Sequence, residues 1–191
     1  TLDLVRSTRG LRIDEVVGHW HRRFPWEEPS TDEVVRRILD RVADRILREG
    51  HPKPGALRAI ELADRSGCAL AIATSSPMTI VNAALERLAI ADLWSTIVSA
   101  ESLSHGKPHP EIFLRAASLL SVNASDCIVL EDSLNGVIAA KAARMTCVAV
   151  PGADERNDPR FALADVVLTS LEDLDARHFA QRTTTDAETQ T

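Results

Sequence analysis

Apolar positions recur at helical spacing up to about residue 50, then give way to short apolar runs that alternate with helical stretches. Ile13, Val16, Val17 and Trp20 form a first stripe; Val34, Val35, Ile38, Leu39, Val42 and Ile46 form a second. Between them, the segment from Phe24-Pro25-Trp26 to Pro29-Ser30 reads as a turn. It offers an N-cap serine or threonine, with Glu33 placed for a capping box. Trp20, Phe24 and Trp26 could line a pocket, but packing between the two helices is the expected role. Residues 1–50 thus read as a small helical unit.

Pro52, Pro54 and Gly55 mark a linker, after which helix and strand alternate. A helix over 56–65 stops at Gly67, and a strand over 69–73 follows. A helix over 77–88 leads to a short strand at 96–99, and a helix over 110–120 feeds a strand at 127–130. A helix over 135–143 then feeds a strand at 146–150, and 166–168 closes the series. Short apolar strands alternating with helices of about ten residues predict an α/β fold, a parallel sheet with helices on its faces. The chain divides into 1–50, 51–180 and a polar, threonine-rich tail at 181–191 that is expected to be disordered.

Composition narrows the function classes. At 191 residues, 45% hydrophobic and 26% charged, the chain can bury one good core, or one domain plus a small insert. A net charge of -6, with no long Lys and Arg cluster, argues against a nucleic-acid partner. No apolar run has the length of a membrane span, and Asp3 and Arg6 interrupt any signal-peptide stretch, so a cytoplasmic location is expected. Cys68, Cys127 and Cys147 each begin or lie in a small apolar run, without disulfide or zinc spacing, and read as buried structural thiols.

Three segments carry chemistry. In Cys127–Lys141, an apolar strand ends on Glu131 and Asp132, then turns through Ser133 and Asn135-Gly136 into a helix. Ligands in open α/β sheets bind outside the carboxyl ends of the strands, and Mg²⁺ is commonly held there by one or two carboxylates with a substrate phosphate. The same acids also suit a helix N-terminus, so both readings stand. Thr74-Ser75-Ser76-Pro77 joins a strand to a helix; its hydroxyls and free N–H groups form a phosphate cradle, or Ser76 is simply the N-cap. Gly106-Lys107-Pro108-His109-Pro110 is a proline-bracketed loop delivering one lysine, a point charge suited to phosphate or to a solvated surface. His109 is expected to shape this loop.

Taken in order, these segments resemble the motifs of the haloacid dehalogenase superfamily. Thr74 stands at the second motif, Lys107 at the third, and Glu131 with Asp132 at the fourth. The phrases GLRIDEVV, KPHPEIF, LEDSLNGVIAAKAA and NDPRFALAD resemble the sugar-phosphate branch, close to hexitol and 2-deoxyglucose-6-phosphate phosphatases and near β-phosphoglucomutase. The resemblance implies a Rossmann-like parallel sheet with a small helical cap, and a Mg²⁺-dependent phosphatase of small phosphorylated sugars. By the same resemblance Asp132, helped by Glu131, holds Mg²⁺; Thr74, Ser75 and Ser76 bind phosphoryl oxygens; and Lys107 neutralises them. Gly10-Leu11-Arg12 resembles the loop that closes over substrate, which makes Arg12 and Gly10 candidates for recognising it. Dehalogenases are disfavoured, because they would leave the acidic pair without a task.

One departure stands out. The family's first motif, DxDxT, supplies the nucleophile and the acid/base residue from the first strand, and no such motif occurs in this chain. The resemblance places that strand mid-sheet, between the strands ending at Thr74 and at Glu131, so two open edges are expected. The chain reads as a 5′-truncated form of a complete enzyme, inactive as it stands and a monomer when complete. A catalytically silent module that binds phosphorylated ligands or a protein is the alternative. Within the enzyme reading, mutase competes with phosphatase.

Overall fold

A computed structural model describes Thr8 and residues 11–179; Gly10 and the tail at 181–191 lie outside the described residues. Among the described residues two amphipathic helices come first, α1 (Ile13–Arg23) and α2 (Thr31–Glu49). Ser30 caps α2, its hydroxyl accepting the Glu33 N–H at 3.3 Å. Only this half of the expected capping box forms, because the Glu33 carboxylate turns to Arg36 and Arg37 one turn on. The aromatics depart from expectation too. Phe24 is 56% exposed and stacks on Trp20 with ring centroids 5.9 Å apart, while the Trp26 indole N–H donates to Pro29 O at 2.8 Å. Phe24 thus stays at the surface, while Trp20 and Trp26 are half-buried, Trp26 edge-on to His21 of α1.

The remainder alternates as predicted: α3 (Ala56–Arg65), β1 (Ala71–Thr74), α4 (Met78–Leu88), β2 (Thr96–Ser99), α5 (Glu111–Leu120), β3 (Ile128–Glu131), α6 (Leu134–Ala142), β4 (Thr146–Ala149) and β5 (Val166–Val167). β1 begins two residues later than predicted, for a local reason. Gly67 adopts φ +76, its N–H donates to Asp64 O, and the Cys68 N–H reaches back to Ala63 O. This Schellman closure holds the chain in the end of α3 through Cys68.

Every strand pairing is parallel, but among the described residues the sheet has two pieces. β1 pairs with β2, Ala71 opposite Thr96, and β3–β4–β5 form the second piece, Ile128 opposite Thr146 and Val148 opposite Val166. Burial tracks this division. β4, flanked on both sides, has three fully buried residues of four, whereas all four residues of β1 are half-buried and Leu130 of β3 is 38% exposed. A single apolar core nevertheless spans both pieces, joining Ala71, Ala73 and Val98 to Val129, Cys147 and Ala149 beneath Ile112, Phe113 and Val137 of α5 and α6. Val148 points to the opposite face, against Ala59 of α3 and Leu174, as strand alternation requires. Helices therefore cover both faces, and α2 packs along α4.

Candidate active site

A buried lysine draws the carboxyl ends of β1 and β3 together. Lys107 is 6% exposed; its Nζ donates to Ala73 O at 3.3 Å and to Glu131 Oε1, and lies 4.7 Å from the centre of the Phe113 ring. A charge this deep persists only when paired and hydrogen-bonded. Glu131 meets that need and is itself fixed, since its other oxygen accepts from the Ser133 N–H at 3.3 Å and from the Ser133 hydroxyl at 3.0 Å. The same hydroxyl accepts the Gly136 N–H at 3.0 Å and so caps α6. Glycine at position 136 leaves room for the Glu131 carboxylate, which a Cβ there would overlap and push aside.

Asp132 follows the strand's alternation and faces the other way. Its side chain is 54% exposed and pairs with Lys53 at the approach to α3. The two adjacent acids thus divide their tasks, Glu131 inward on Lys107 and Asp132 outward at the strand end. As donors for a hard cation they differ accordingly. The Glu131 oxygens are engaged by Lys107 and Ser133, whereas the exposed Asp132 can exchange Lys53 for a cation. One direct carboxylate, with water and a substrate phosphate, matches the share a protein usually gives Mg²⁺.

At the end of β1, Thr74 Oγ1 accepts the Ser76 N–H at 3.0 Å, and the buried Ser99 hydroxyl donates to Ser76 O at 2.8 Å. Ser75 lies half-buried between them. The expectation that Ser76 caps the next helix is corrected: Pro77 occupies the N-cap, and Glu101 Oε2 accepts the Met78 N–H at 3.1 Å. Lys107 and Glu131 meet at the joined strand ends, where Lys107 also bonds Ala73 O, next in sequence to Thr74, with Ser75 and Ser76 following.

Arg12 sits apart from them. Its guanidinium bonds Asp14 at 2.6 Å and the carbonyls of Leu103 and Ala100 at 3.3 and 3.5 Å, tying the start of α1 to the segment after β2. The Asp14 hydrogen bond raises the Arg12 pKa against the effect of burial. Between α1 and the Ser104–Pro110 loop lies a cleft of about 610 Å³, walled by Lys107 together with His19, Arg22, His105, His109 and Glu15. Sequence reasoning missed Lys53, Ser99, Glu101 and the roles of Ser133 and Gly136. A serine three residues before a glycine at a helix start was the one available signal.

Known proteins resemble this chain in sequence and fold. The model of the haloacid dehalogenase-like hydrolases matches residues 9–144. Hexitol phosphatase B of Escherichia coli (strain K12) is 43% identical over 172 residues, covering 90% of this chain and 77% of that protein. CbbY from Rhodobacter sphaeroides, solved in complex with xylulose-(1,5)bisphosphate, superposes with TM-score 0.78 at 28% identity, over 90% of this chain and 77% of that one. β-Phosphoglucomutase from Clostridium difficile shares the fold, with TM-score 0.76 at 21% identity over 93% of this chain and 79% of that one. Since the family model spans well over half of the chain, and a relative 43% identical to it is covered over three quarters of its length, the chain belongs to the haloacid dehalogenase-like hydrolases.

Proposed function

We propose that this protein is a Mg²⁺-dependent phosphomonoesterase acting on small sugar phosphates, with hexitol phosphates as the leading substrates. The observation that carries the reading is the buried Lys107–Glu131 pair at the joined ends of β1 and β3. Phosphoryl transfer asks a protein mainly for positioning and for stabilisation of developing negative charge. Lys107 supplies a fixed positive charge whose position Glu131, Ala73 and Phe113 define. The Thr74 and Ser75 hydroxyls are placed to hold phosphoryl oxygens beside it. Asp132 would hold Mg²⁺, which when bound adds a second positive charge against the phosphate. α1 and α2 serve as the cap, fastened by Arg12, and bring His19 and Arg22 to the substrate side.

The nucleophile belongs to this proposal as well. Glu131 is spent on its ion pair with Lys107, and by the family resemblance the attacking carboxylate would come from a DxDxT strand seated between β1 and β3. The chain as written would then be silent. Three cysteines outside any disulfide, Cys147 buried as expected but Cys68 and Cys127 only half-buried, fit a reducing cytoplasm, where the completed enzyme would work as a monomer.

Phosphate release from sorbitol and mannitol phosphates tests the proposal. We expect negligible turnover by the 191-residue chain, clear turnover when an apolar strand ending in DxD precedes Thr1, and loss of that turnover with EDTA. Activity of the extended protein that persists in EDTA would sink the metal assignment. Isomerised sugar phosphate in place of free phosphate would favour the mutase alternative, and binding without turnover the silent one.

A further inference from the structure

His105, His109 and Glu111 take no part in the pairing that holds Lys107, yet their ligating atoms all lie within 4.8 Å of one another. His105 Nδ1 stands 3.1 Å and His109 Nδ1 3.9 Å from the same oxygen, Glu111 Oε2, and the two rings lie 4.5 Å apart between centroids. Among the described residues no other group of three His, Cys, Asp or Glu side chains meets so closely.

The backbone holds the cluster in place. The His105 N–H donates to Glu111 Oε2 at 3.0 Å, and the Glu111 N–H donates to His109 Nδ1 at 3.2 Å. The Nδ1 lone pair of His109 is thus held by the Glu111 N–H, and a metal bound at that nitrogen would take the place of this hydrogen bond. Pro108 and Pro110 restrict the loop between the ligands, and Glu111 begins α5, so little ordering remains to be done on binding. The histidine side chains are 63% and 49% exposed and line the cleft, which gives an ion a route in.

We propose that His105, His109 and Glu111 form a binding site for a borderline divalent transition metal, Zn²⁺ first, distinct from the Asp132 carboxylate. Two imidazoles and one carboxylate select Zn²⁺, Cu²⁺ or Ni²⁺ over Mg²⁺, which prefers an all-oxygen shell. Three protein ligands leave a fourth position open, as in zinc sites that exchange water or an anion. Bound metal would clamp the Lys107 loop to the first residue of α5.

Isothermal titration of the 191-residue chain with ZnCl₂, in excess MgCl₂, provides the test. We expect one equivalent of Zn²⁺ unaffected by Mg²⁺, with affinity falling roughly tenfold or more in His105→Ala and in His109→Ala. Absence of uptake, or undiminished affinity in the double variant, overturns the proposal. Both histidines are exposed, so the core does not depend on them, and circular dichroism checks the fold. Should a variant misfold, electron paramagnetic resonance of Cu²⁺ on the unaltered chain decides: two imidazole nitrogens support the site, and none refutes it.

Discussion

Lys107 and Glu131 are each mostly buried, and the consequence of removing one depends on the other. Lys107→Ala leaves an unpaired carboxylate inside, a change that typically costs about 3–5 kcal/mol. We expect urea unfolding to show that loss and, in the completed enzyme, turnover to fall by orders of magnitude. Asp132→Asn should separate the two effects: its exposed side chain predicts a stability change within about 0.5 kcal/mol, beside a comparable loss of turnover. Unchanged turnover in that variant would argue against Asp132 as the cation's ligand. Gly136→Ala should displace the Glu131 carboxylate, reducing both turnover and melting temperature although position 136 touches no substrate. At Cys147, burial and the nearby Glu131 and Asp165 push the thiol pKa up to about 12. Native alkylation followed by mass spectrometry should leave Cys147 unmodified until denaturant is added. The candidate site was readable in sequence where a residue sits at a strand end or directly before a proline-bracketed turn, as with Thr74, Glu131 and Lys107. The partner of Lys107 was not, since that pairing depends on the path of a loop and on one missing Cβ.

Elements were predicted nearly in full, and the misplaced boundaries share a cause. Apolar spacing locates helices and strands, but their ends are decided by which groups take up the leftover backbone N–H and C=O. Cys68 looked like the start of a strand and is spent on closing α3; Ser76 looked like a cap and yields to Glu101, distant in sequence. Caps also govern the response to acid. Asp158 and Asp175 accept N–H groups of short 3-10 turns, and hydrogen bonds from Arg160 and Arg177 respectively lower each carboxyl to about 2. Because these folded values lie below the unfolded carboxylate's value of about 3.9, their contribution is complete above that pH and disappears as pH falls towards 2. Melting temperature should be flat across neutral pH and decline between about pH 4 and 2, less steeply in Asp175→Asn. An equal slope in that variant would remove Asp175 from the account.

At the scale of the whole molecule, two parallel half-sheets share one core without backbone hydrogen bonds between them among the described residues. The expectation of open edges came from the resemblance; periodicity cannot reveal it, since a strand reads the same whether or not both sides are paired. Hydrogen exchange should show the difference, with continuous protection along β4 and alternating protection along β1 and β3. What crosses the seam is side-chain work: the Lys107–Glu131 bridge, α5 against α6, and α3 against Leu174. The loop at Val122 lies between the halves, so a nick after that residue severs no strand or helix. Two pieces made there, 1–122 and 123–191, would carry matching halves of the core and of the ion pair. Brought together, the pieces would have only that ion pair and the shared core with which to rebuild the seam.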